Sequence, residues 1–269
     1  MDNAWISRFV CLSLVLGICY CIGDDDSTIS IATLVPSDPR RLFSRERVAP
    51  AMSIAVEKVQ EMQLLPNRNL SIKFADSNCN VADGINEAIN YYVRKEVDVF
   101  FGPCCDYAAA PVARQIRYWN IAMVTPGAMA RDFTVTKKIM FNLMTRVGPN
   151  FSSLVNFLVK ILLVFDWKKV LLLYDPEGQR NIFDRYCHIA SDGMHYGFKV
   201  QQEIPNLEQN YFKFDDIDDI LSEFQVHVGT ENADITKCLP ESHGFKKPAI
   251  LLMIPLLRNV VVYCLISKY

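Results

Sequence analysis

The run from Val97 to Trp119, VDVFFGPCCDYAAAPVARQIRYW, restricts the fold more than any other stretch of this sequence. Its apolar beginning, Val97 to Phe101, is rich in β-forming residues and stops at Gly102-Pro103, which is typical of a strand covered on both faces. Apolar side chains then recur at helical spacing, and Asp106 is placed to cap that helix. The run therefore predicts a buried strand, a sharp turn with two adjacent cysteines, and a helix.

A strand that turns directly into a helix N-terminus is a place where open α/β sheets bind ligands, because free backbone amides and the helix dipole converge there. The turn after Phe101 is therefore a candidate site for an anion or a polar ligand group. The segment alone is also what an ordinary turn between a strand and a helix would look like.

Strands and helices alternate along most of the chain, which favours a parallel sheet with helices on both faces. The predicted strands of a first unit cover residues 29–35, 70–75, 97–101, 121–124 and 140–147, and its helices cover 48–62 and the segments that follow Asp83 and Asp106. A second unit starts near Gly148-Pro149, with predicted helices at 153–165, 182–196 and 215–224 and strands at 170–174 and 199–204. The pattern thus predicts an α/β protein of two units.

Composition excludes several classes of function. The 269 residues suffice for one large domain or two modest lobes, and a net charge of −2 argues against a nucleic-acid-binding face. Serine-hydrolase, zinc-protease and P-loop motifs are missing from the sequence, and the four histidines have no metal-ligand spacing. We therefore expect neither a catalytic site nor a metal site.

Residues 1–23 have the character of a secretory signal. Arg8 precedes an apolar run that ends at Ile22, which falls short of the ~20 residues of a membrane span, although an uncleaved anchor is the alternative. The cysteines beyond this signal would then meet an oxidising compartment. Sequons at Asn69 and Asn150 predict glycosylation, so we expect the secretory pathway and an extracellular or plasma-membrane location on the ectodomain side.

The stretch GPCCDYAAAPVARQIRYWNIAMVTPGA resembles natriuretic peptide receptor ectodomains, the ligand-binding regions of a receptor guanylyl cyclase family. The family pattern is roughly G-P-x-C-x-Y-A-A-A-P-V-x-R followed by H-W-x-x-P-x-x-x-x-G-A, and Tyr118 and Ala122 stand where the family has His and Pro. The resemblance implies a type I periplasmic-binding-protein-like fold of two α/β lobes. It also implies the hormone-binding part of a dimeric membrane receptor, often with an intracellular cyclase that has no counterpart here.

The resemblance covers about residues 29–224 and then stops. It implies that 24–147 form lobe one and 148–224 part of lobe two, and that 225–269 are a divergent tail. The apolar end of the tail is a poor membrane segment, since Pro255 and Arg258 interrupt it; a core-like strand or helix, or a non-native end, are the alternatives. We expect a truncated receptor region that binds peptide weakly or not at all by itself.

Several residues around the turn acquire roles from the resemblance. It implies a disulfide between Cys79 and Cys105, and a chloride ion held by the Ser77 hydroxyl and the backbone amides of Cys104 and Cys105, with no other cofactor. Cys104 is extra relative to the family, and is either a buried thiol or a competitor for Cys79. Ser77 is otherwise an ordinary turn residue. Relatives bridge the cysteine equivalent to Cys187 to one on the next strand, which is absent here; Cys238 is a substitute that no motif supports.

A further set of residues falls where the family contacts its hormone or its second subunit. These are Tyr107, Arg114 and Trp119 from lobe one and Tyr174, His188 and Asp192 from lobe two, with His188 replacing an aromatic residue. The other interpretation is solvated helix surface.

The resemblance thus implies a peptide-hormone-binding, non-enzymatic region that transmits a signal or clears its ligand, as a homodimer or a heterodimer with a full-length receptor. It would meet a membrane only through the parent receptor or the C-terminal apolar segment. The alternatives are a soluble decoy or dimerisation partner, and a module that binds a small ligand such as an amino acid.

Overall fold

Strands and helices alternate along the chain in the computed structural model, which describes residues 28–213 and the backbone of 251–256 and 259–264. The first unit contains β1 (Thr28–Val35), α1 (Arg45–Glu61), β2 (Asn69–Asp76), α2 (Val81–Val93), β3 (Val99–Phe101), α3 (Asp106–Trp119), β4 (Ala122–Thr125), α4 (Asp132–Val135), α5 (Lys137–Met140) and β5 (Met144–Arg146). The second contains α6 (Phe151–Val164), β6 (Lys169–Tyr174), α7 (Tyr186–Val200), β7 (Glu208–Lys213), β8 (Leu251–Leu256) and β9 (Asn259–Cys264).

The first unit, called lobe one below, is built on a parallel sheet in the order β2-β1-β3-β4-β5. Its central strand β3 buries Phe100 completely, and the apolar face of α3 covers it with Val112 and Ile116. A side chain at every third or fourth position of α3 therefore enters one core. This arrangement confirms the predicted α/β class with a parallel sheet flanked by helices.

The second unit, called lobe two, has a sheet in the order β7-β6-β9-β8. Strand β6 runs parallel to both β7 and β9, and β8 is antiparallel to β9 at the edge. Helices α6 and α7 supply a separate core in which Leu158, Leu162 and Met194 pack with Leu172 of β6. The two lobes therefore have their own cores, and α6 is the first element of the second one.

The apolar end of the chain contributes strands to lobe two. Residues 251–256 and 259–264 form the antiparallel pair β8 and β9, which is the core-like alternative from the sequence. Pro255 lies in the edge strand, where a residue without an N–H is tolerated. Within the described residues, no helix combines the length and the apolarity that crossing a membrane requires. The predicted signal and the predicted helix at 215–224 lie outside the described residues.

Three predicted boundaries in the chain were wrong. The predicted strand at 199–204 does not form, because α7 continues to Val200 and uses Phe198 as a core residue one turn beyond Met194. That helix begins at Tyr186 and not near Ile182. The predicted strand at 140–147 shortens to β5, since the preceding residues form α5.

Candidate ligand-binding cleft

The turn between β3 and α3 is held in place by close backbone contacts. Gly102 has a φ of +82°, and a Cβ there would lie 2.3 Å from the carbonyl oxygen of Leu34 in β1. From the other side, a Cβ on Gly127 would lie 1.7 Å from the carbonyl oxygen of Cys104. The Thr125 hydroxyl donates to the Pro103 carbonyl oxygen at 2.7 Å and accepts from the Gly127 N–H at 3.0 Å. The turn therefore requires two glycines for reasons of space.

A disulfide joins this turn to the end of β2. Cys79 and Cys105 are bonded to each other with their Cα atoms 5.4 Å apart, as the family resemblance implies. Cys105 is the residue immediately before α3, so the bond fixes the N-terminus of α3 to the loop that leads into α2. Cys187 of α7 is also disulfide-bonded.

The residues of the predicted anion site are buried near the two ends of this disulfide in sequence, with Ser77 two positions before Cys79 and Cys104 immediately before Cys105. Ser77 is fully buried, and its hydroxyl oxygen has no hydrogen-bond partner among the described residues. Cys104 is also buried, with its sulfur 4.0 Å from that of Cys105. Burial raises the pKa of the Cys104 thiol to about 12, so this thiol stays neutral at physiological pH. Cys104 is therefore a buried free thiol, which is one of the two alternatives that the sequence left open.

Asp106 begins α3 and does not cap it. The N-cap position belongs to Cys105, and no side chain caps the helix. The carboxylate of Asp106 instead turns toward the loop after β4, where its Oδ1 accepts a hydrogen bond from the Ala130 N–H at 2.7 Å. Its Oδ2 is buried without a partner among the described residues. The prediction of a capping role was wrong, because the loop competes for the same oxygen atoms.

A cleft of about 510 Å³ opens beside Asp106 between the two lobes. Lobe one contributes residues from the first half of α3 and from the segment that follows β4, and lobe two contributes one face of α7. The lining residues are Val81, Asp106, Tyr107, Ala110, Pro111, Arg114, Ala130, Arg131, Asp132, Phe133, Phe141, His188, Ile189, Asp192 and Gly193. Its volume lies in the usual range for a small-ligand pocket.

Four of the six residues predicted for the peptide or dimer side line this cleft. Tyr107 and Arg114 lie about two turns apart on α3. His188 and Asp192 lie about one turn apart on α7. Tyr107 is 41% exposed, and the guanidinium of Arg114 stands 5.5 Å from the ring centroid of Phe141. The structure therefore brings together candidates that the sequence separates by more than 70 positions.

The remaining two candidates lie elsewhere. Trp119, at the end of α3, is half-buried and stacks on Tyr92 with ring centroids 4.3 Å apart. Tyr174, at the end of β6, is buried, with ring contacts to His188 at 6.0 Å and Tyr211 at 6.4 Å. Both side chains serve the core of their own lobe, so neither belongs to the cleft.

Arg131 spans the two lobes, although no sequence motif singles it out. Its guanidinium lies 3.4 Å from the ring centroid of Tyr196 in α7 and 3.9 Å from the carboxylate of Asp132. On another part of the junction, Arg41 donates to the Arg180 carbonyl oxygen at 2.6 Å and pairs with Asp184 at 3.0 Å. An arginine that precedes a short helix carries no recognisable motif, so only the tertiary structure reveals this role.

The lobes also share an apolar cluster beside the disulfide, called the junction cluster below. It joins buried Cys79, Cys104, Cys105 and Ala108 of lobe one to Phe183, and Phe43, Met129, Ile182, Tyr186 and Ile189 pack around them. The lobes therefore meet through packed side chains as well as through the polar contacts of Arg41 and Arg131.

The two sequon asparagines differ in their surroundings. Asn69 is exposed at the first residue of β2. Asn150 is half-buried and caps α6: its Oδ1 accepts from the Ser153 N–H at 3.0 Å, and its Nδ2 donates to the Ser153 hydroxyl at 3.0 Å. Glycosylation at either position stays a prediction. No cluster of potential metal ligands occurs among residues 28–213.

The architecture resembles that of a bacterial ligand-binding protein. An ABC transporter substrate-binding protein from Desulfitobacterium hafniense superimposes with a TM-score of 0.57 at 16% identity, covering 75% of this chain and 56% of its own. Two α/β lobes with a cleft between them define the class of periplasmic-binding-protein-like folds.

The family follows from the sequence itself. Residues 47–211 match the receptor family ligand binding region. Because this match spans more than half of the sequence, the chain belongs to that family.

Natriuretic peptide receptors are among the relatives of this chain. Atrial natriuretic peptide receptor 3 of Rattus norvegicus is 29% identical over 214 residues, covering 73% of this chain and 37% of the relative. The Bos taurus protein of the same name is 28% identical over 223 residues, with 78% and 39% covered. Atrial natriuretic peptide receptor 2 of Rattus norvegicus is 31% identical over 129 residues, 48% of this chain and 12% of the relative. The chain thus spans less than two-fifths of the length of these relatives.

Proposed function

We propose that this chain is the extracellular ligand-binding region of a natriuretic-peptide-type receptor and that it contacts a peptide hormone at the interlobe cleft. The observation that carries the proposal is the convergence of Tyr107 and Arg114 with His188 and Asp192 on one concave surface. Membership of a receptor ligand-binding family and similarity to proteins named atrial natriuretic peptide receptors support it. The disulfide and the sequons support an extracellular location.

The cleft offers a peptide both apolar and polar contacts. Tyr107 presents an exposed ring and hydroxyl group, and Arg114 rests on Phe141, which limits the number of orientations that the guanidinium must lose on binding. Aromatic residues and arginine are the side chains most often responsible for affinity in protein interfaces. A volume of about 510 Å³ accommodates a few side chains of a peptide, while the rest of the peptide would lie outside the cleft.

The test is direct binding of labelled atrial natriuretic peptide to the full chain, followed by fluorescence anisotropy. We expect saturable but weak binding, as the sequence predicts for this chain by itself, and we expect Arg114→Ala to weaken it further by about tenfold or more, since interface arginines contribute on the order of 2 kcal/mol. Arg47→Ala, an exposed arginine of α1 outside the cleft, is the matched control and should bind like the wild type. Absence of saturable binding, or equal losses in the two variants, would contradict the proposal.

We further propose a chloride ion at Ser77. A buried hydroxyl without a partner and the N-terminus of α3 are suited to an anion, which the Ser77 hydroxyl and the amides of Cys104 and Cys105 would hold. Chloride should raise the thermal midpoint of unfolding relative to gluconate at equal ionic strength, because a ligand of the folded state stabilises it. Ser77→Ala should remove this chloride dependence. A midpoint that is the same in both salts would argue against the ion.

Dimerisation is proposed at the outer face of α2 and α3. Val93 is 70% exposed and Tyr118 is 78% exposed, and the two helices pack side by side. Apolar groups of this kind on one face are suited to a second copy of the chain or to a full-length receptor. Light scattering during size-exclusion chromatography should show a dimer for the wild type and a monomer for Val93→Glu. If both run as monomers, this face does not support self-association.

A further inference from the structure

Asp106 is a buried acid that the proposed function does not use. Its side chain is on the first residue of α3, only 4% of its surface is exposed, and it lines the cleft between the lobes. One carboxylate oxygen, Oδ1, accepts from the Ala130 N–H, whereas Oδ2 has no hydrogen-bond partner among the described residues. Charged side chains are almost never this deeply buried unless they are paired.

Nearby positive charges are already engaged with other groups. Arg146 of β5 is the cation whose charge lowers the pKa of Asp106, but its guanidinium donates to the Ala128 carbonyl oxygen at 3.0 Å and to the Thr134 hydroxyl at 2.8 Å. No ion pair joins Asp106 to any basic residue in the part of the chain that the structure describes. The desolvation of the carboxylate is thus only partly offset within the protein.

The two guanidinium groups of the cleft are each placed against an aromatic ring. Arg114 lies over Phe141 and Arg131 lies over Tyr196. The lining also contains Asp132 and Asp192, so its three carboxylates and two guanidinium groups leave a net charge of −1 when His188 is neutral. A positively charged group is therefore favoured over a negatively charged one at the Asp106 end of the cleft.

We propose that Oδ2 of Asp106 accepts a hydrogen bond from a cationic group of the ligand, a guanidinium or a primary ammonium, that enters the cleft between the lobes. A hydrogen bond to a charged donor is stronger than a neutral one, and it provides the missing partner for a buried acceptor. The inference rests on the cleft being the ligand site of the proposed function. The cation belongs either to a peptide side chain or to a small amine, because both present the same chemistry.

Two matched probe pairs test the chemistry. The first pair is N-acetyl-arginine amide and N-acetyl-citrulline amide, which have nearly the same shape but differ in charge. The second pair is a short glycine-serine peptide with one central arginine, and the same peptide with citrulline. We expect the wild-type chain to prefer arginine over citrulline by about tenfold or more in calorimetric titrations, given the strength of charge-assisted hydrogen bonds. A preference in the first pair identifies small cations as sufficient, and one in the second pair alone identifies a peptide.

Two variants distinguish the effect of the buried Asp106 carboxylate on the arginine preference from the effect of the overall charge of the cleft. Asp106→Asn keeps an oxygen for the Ala130 N–H but removes the negative charge, whereas Asp132→Asn removes the same charge from an exposed residue of the same cleft. The arginine preference should vanish in Asp106→Asn and persist in Asp132→Asn. Equal losses in both variants, or no preference in the wild type, would overturn the proposal.

Labelled atrial natriuretic peptide, titrated in parallel, separates this inference from the proposed function. If the hormone binds the wild type and Asp106→Asn equally well and the arginine preference is absent, the proposed function stands and the role of Asp106 is refuted. If the hormone fails to bind but the arginine probes bind in an Asp106-dependent way, the cation site stands and the hormone proposal fails. The preference measured on the wild type does not depend on the folding of any variant.

Discussion

Asp106 is the residue whose chemistry departs furthest from that of an ordinary surface carboxylate. Burial raises its pKa from 3.8 to about 6, although the backbone N–H groups of Ala130 and Met129 and the charge of Arg146 lower it in part. Because the folded state holds this proton more strongly than the unfolded chain does, the residue imposes no penalty below pH 3.8. The penalty grows as the pH rises and is complete above about pH 6.

Asp106→Asn should therefore stabilise the unliganded chain at neutral pH. The rise of the pKa from 3.8 to about 6 corresponds to on the order of 3 kcal/mol, since each unit of pKa represents about 1.4 kcal/mol. We expect the variant to exceed the wild type by this amount in free energy of unfolding at pH 7.5, and to approach it near pH 4, in urea denaturation followed by circular dichroism. A difference between the two proteins that is independent of pH would contradict the assignment.

Alanine variants at Gly127 and Gly148 show whether lack of space or backbone conformation limits substitution of these glycines. A Cβ at this position would meet the Cys104 carbonyl oxygen at 1.7 Å, so Gly127→Ala must displace the turn itself. At Gly148 the φ is +113° but no atom lies within 4 Å, so Gly148→Ala incurs only the conformational penalty, about 1 kcal/mol. We expect Gly127→Ala to lose several times more stability, or to fail to fold, in thermal denaturation. Similar losses in the two variants would show that space is not limiting.

At the scale of elements, the disulfide connects the starts of α2 and α3. Cys79 and Cys105 are 26 positions apart, and closing a loop of this length stabilises a fold by roughly 3 kcal/mol in the chain-entropy description. The double variant Cys79→Ala, Cys105→Ala should lose about this amount in urea denaturation. Cys104→Ala, which removes a buried sulfur but no crosslink, is the control and should lose about 1 kcal/mol. Equal losses would mean that packing and not the crosslink provides the stability.

The start of α6 depends on one side chain. Asn150→Ala removes the acceptor for the Ser153 N–H and should cost about 1 kcal/mol, whereas Asn150→Asp retains an acceptor and should cost much less. Both variants destroy the sequon, so glycosylation cannot explain a difference between them. Thermal denaturation of bacterially produced protein measures the effect. A loss that is the same for alanine and aspartate would rule out capping as its cause.

Local signals predicted the elements well where side-chain periodicity was strong. The apolar run from Val97 to Phe101 contains β3, and the helical spacing of Val112 and Ile116 belongs to α3. The glycine-proline stop lies between these two elements. The strand predicted at 199–204 failed because Phe198 fits the apolar face of α7 and the core retains it there. The predicted strand, KVQQEI, has only two apolar side chains and therefore no clear period, so the packing against α6 decides between the two elements.

At the scale of the whole molecule, the sequence predicted the residues of the cleft better than the cleft itself. Tyr107, Arg114, His188 and Asp192 were found through family resemblance, although their meeting in one surface depends on how the lobes sit together. The contributions of Asp106 and Arg131 could not be predicted, because burial and a stacking partner on another lobe leave no pattern in the local sequence. Trp119 and Tyr174, which the resemblance also places on the peptide or dimer side, do not line the cleft.

The lobe arrangement should loosen when Arg41 is removed. Arg41→Ala loses the hydrogen bond to the Arg180 carbonyl oxygen and the pair with Asp184, whose side chain is 52% exposed. An exposed pair contributes little to global stability, about 0–1 kcal/mol. We therefore expect faster amide hydrogen exchange in the segment from Arg180 to Asp184 with little change in the free energy of unfolding. The exposed pair of Lys58 and Glu61 in α1 provides the control, and Lys58→Ala should leave that exchange unchanged. Unchanged exchange in Arg41→Ala would show that the contacts of Arg41 do not hold this segment in place.

The junction cluster has a thermodynamic consequence for any motion that widens the cleft. Separating the lobes there would bring the ring of Phe183 and the sulfur atoms beside it into water, and hydration of apolar surface raises the heat capacity. The enthalpy of opening would then change with temperature, so the population of open molecules would follow a curve with a minimum and would not rise steadily on warming. A receptor built in this way would respond to its ligand differently at different body temperatures.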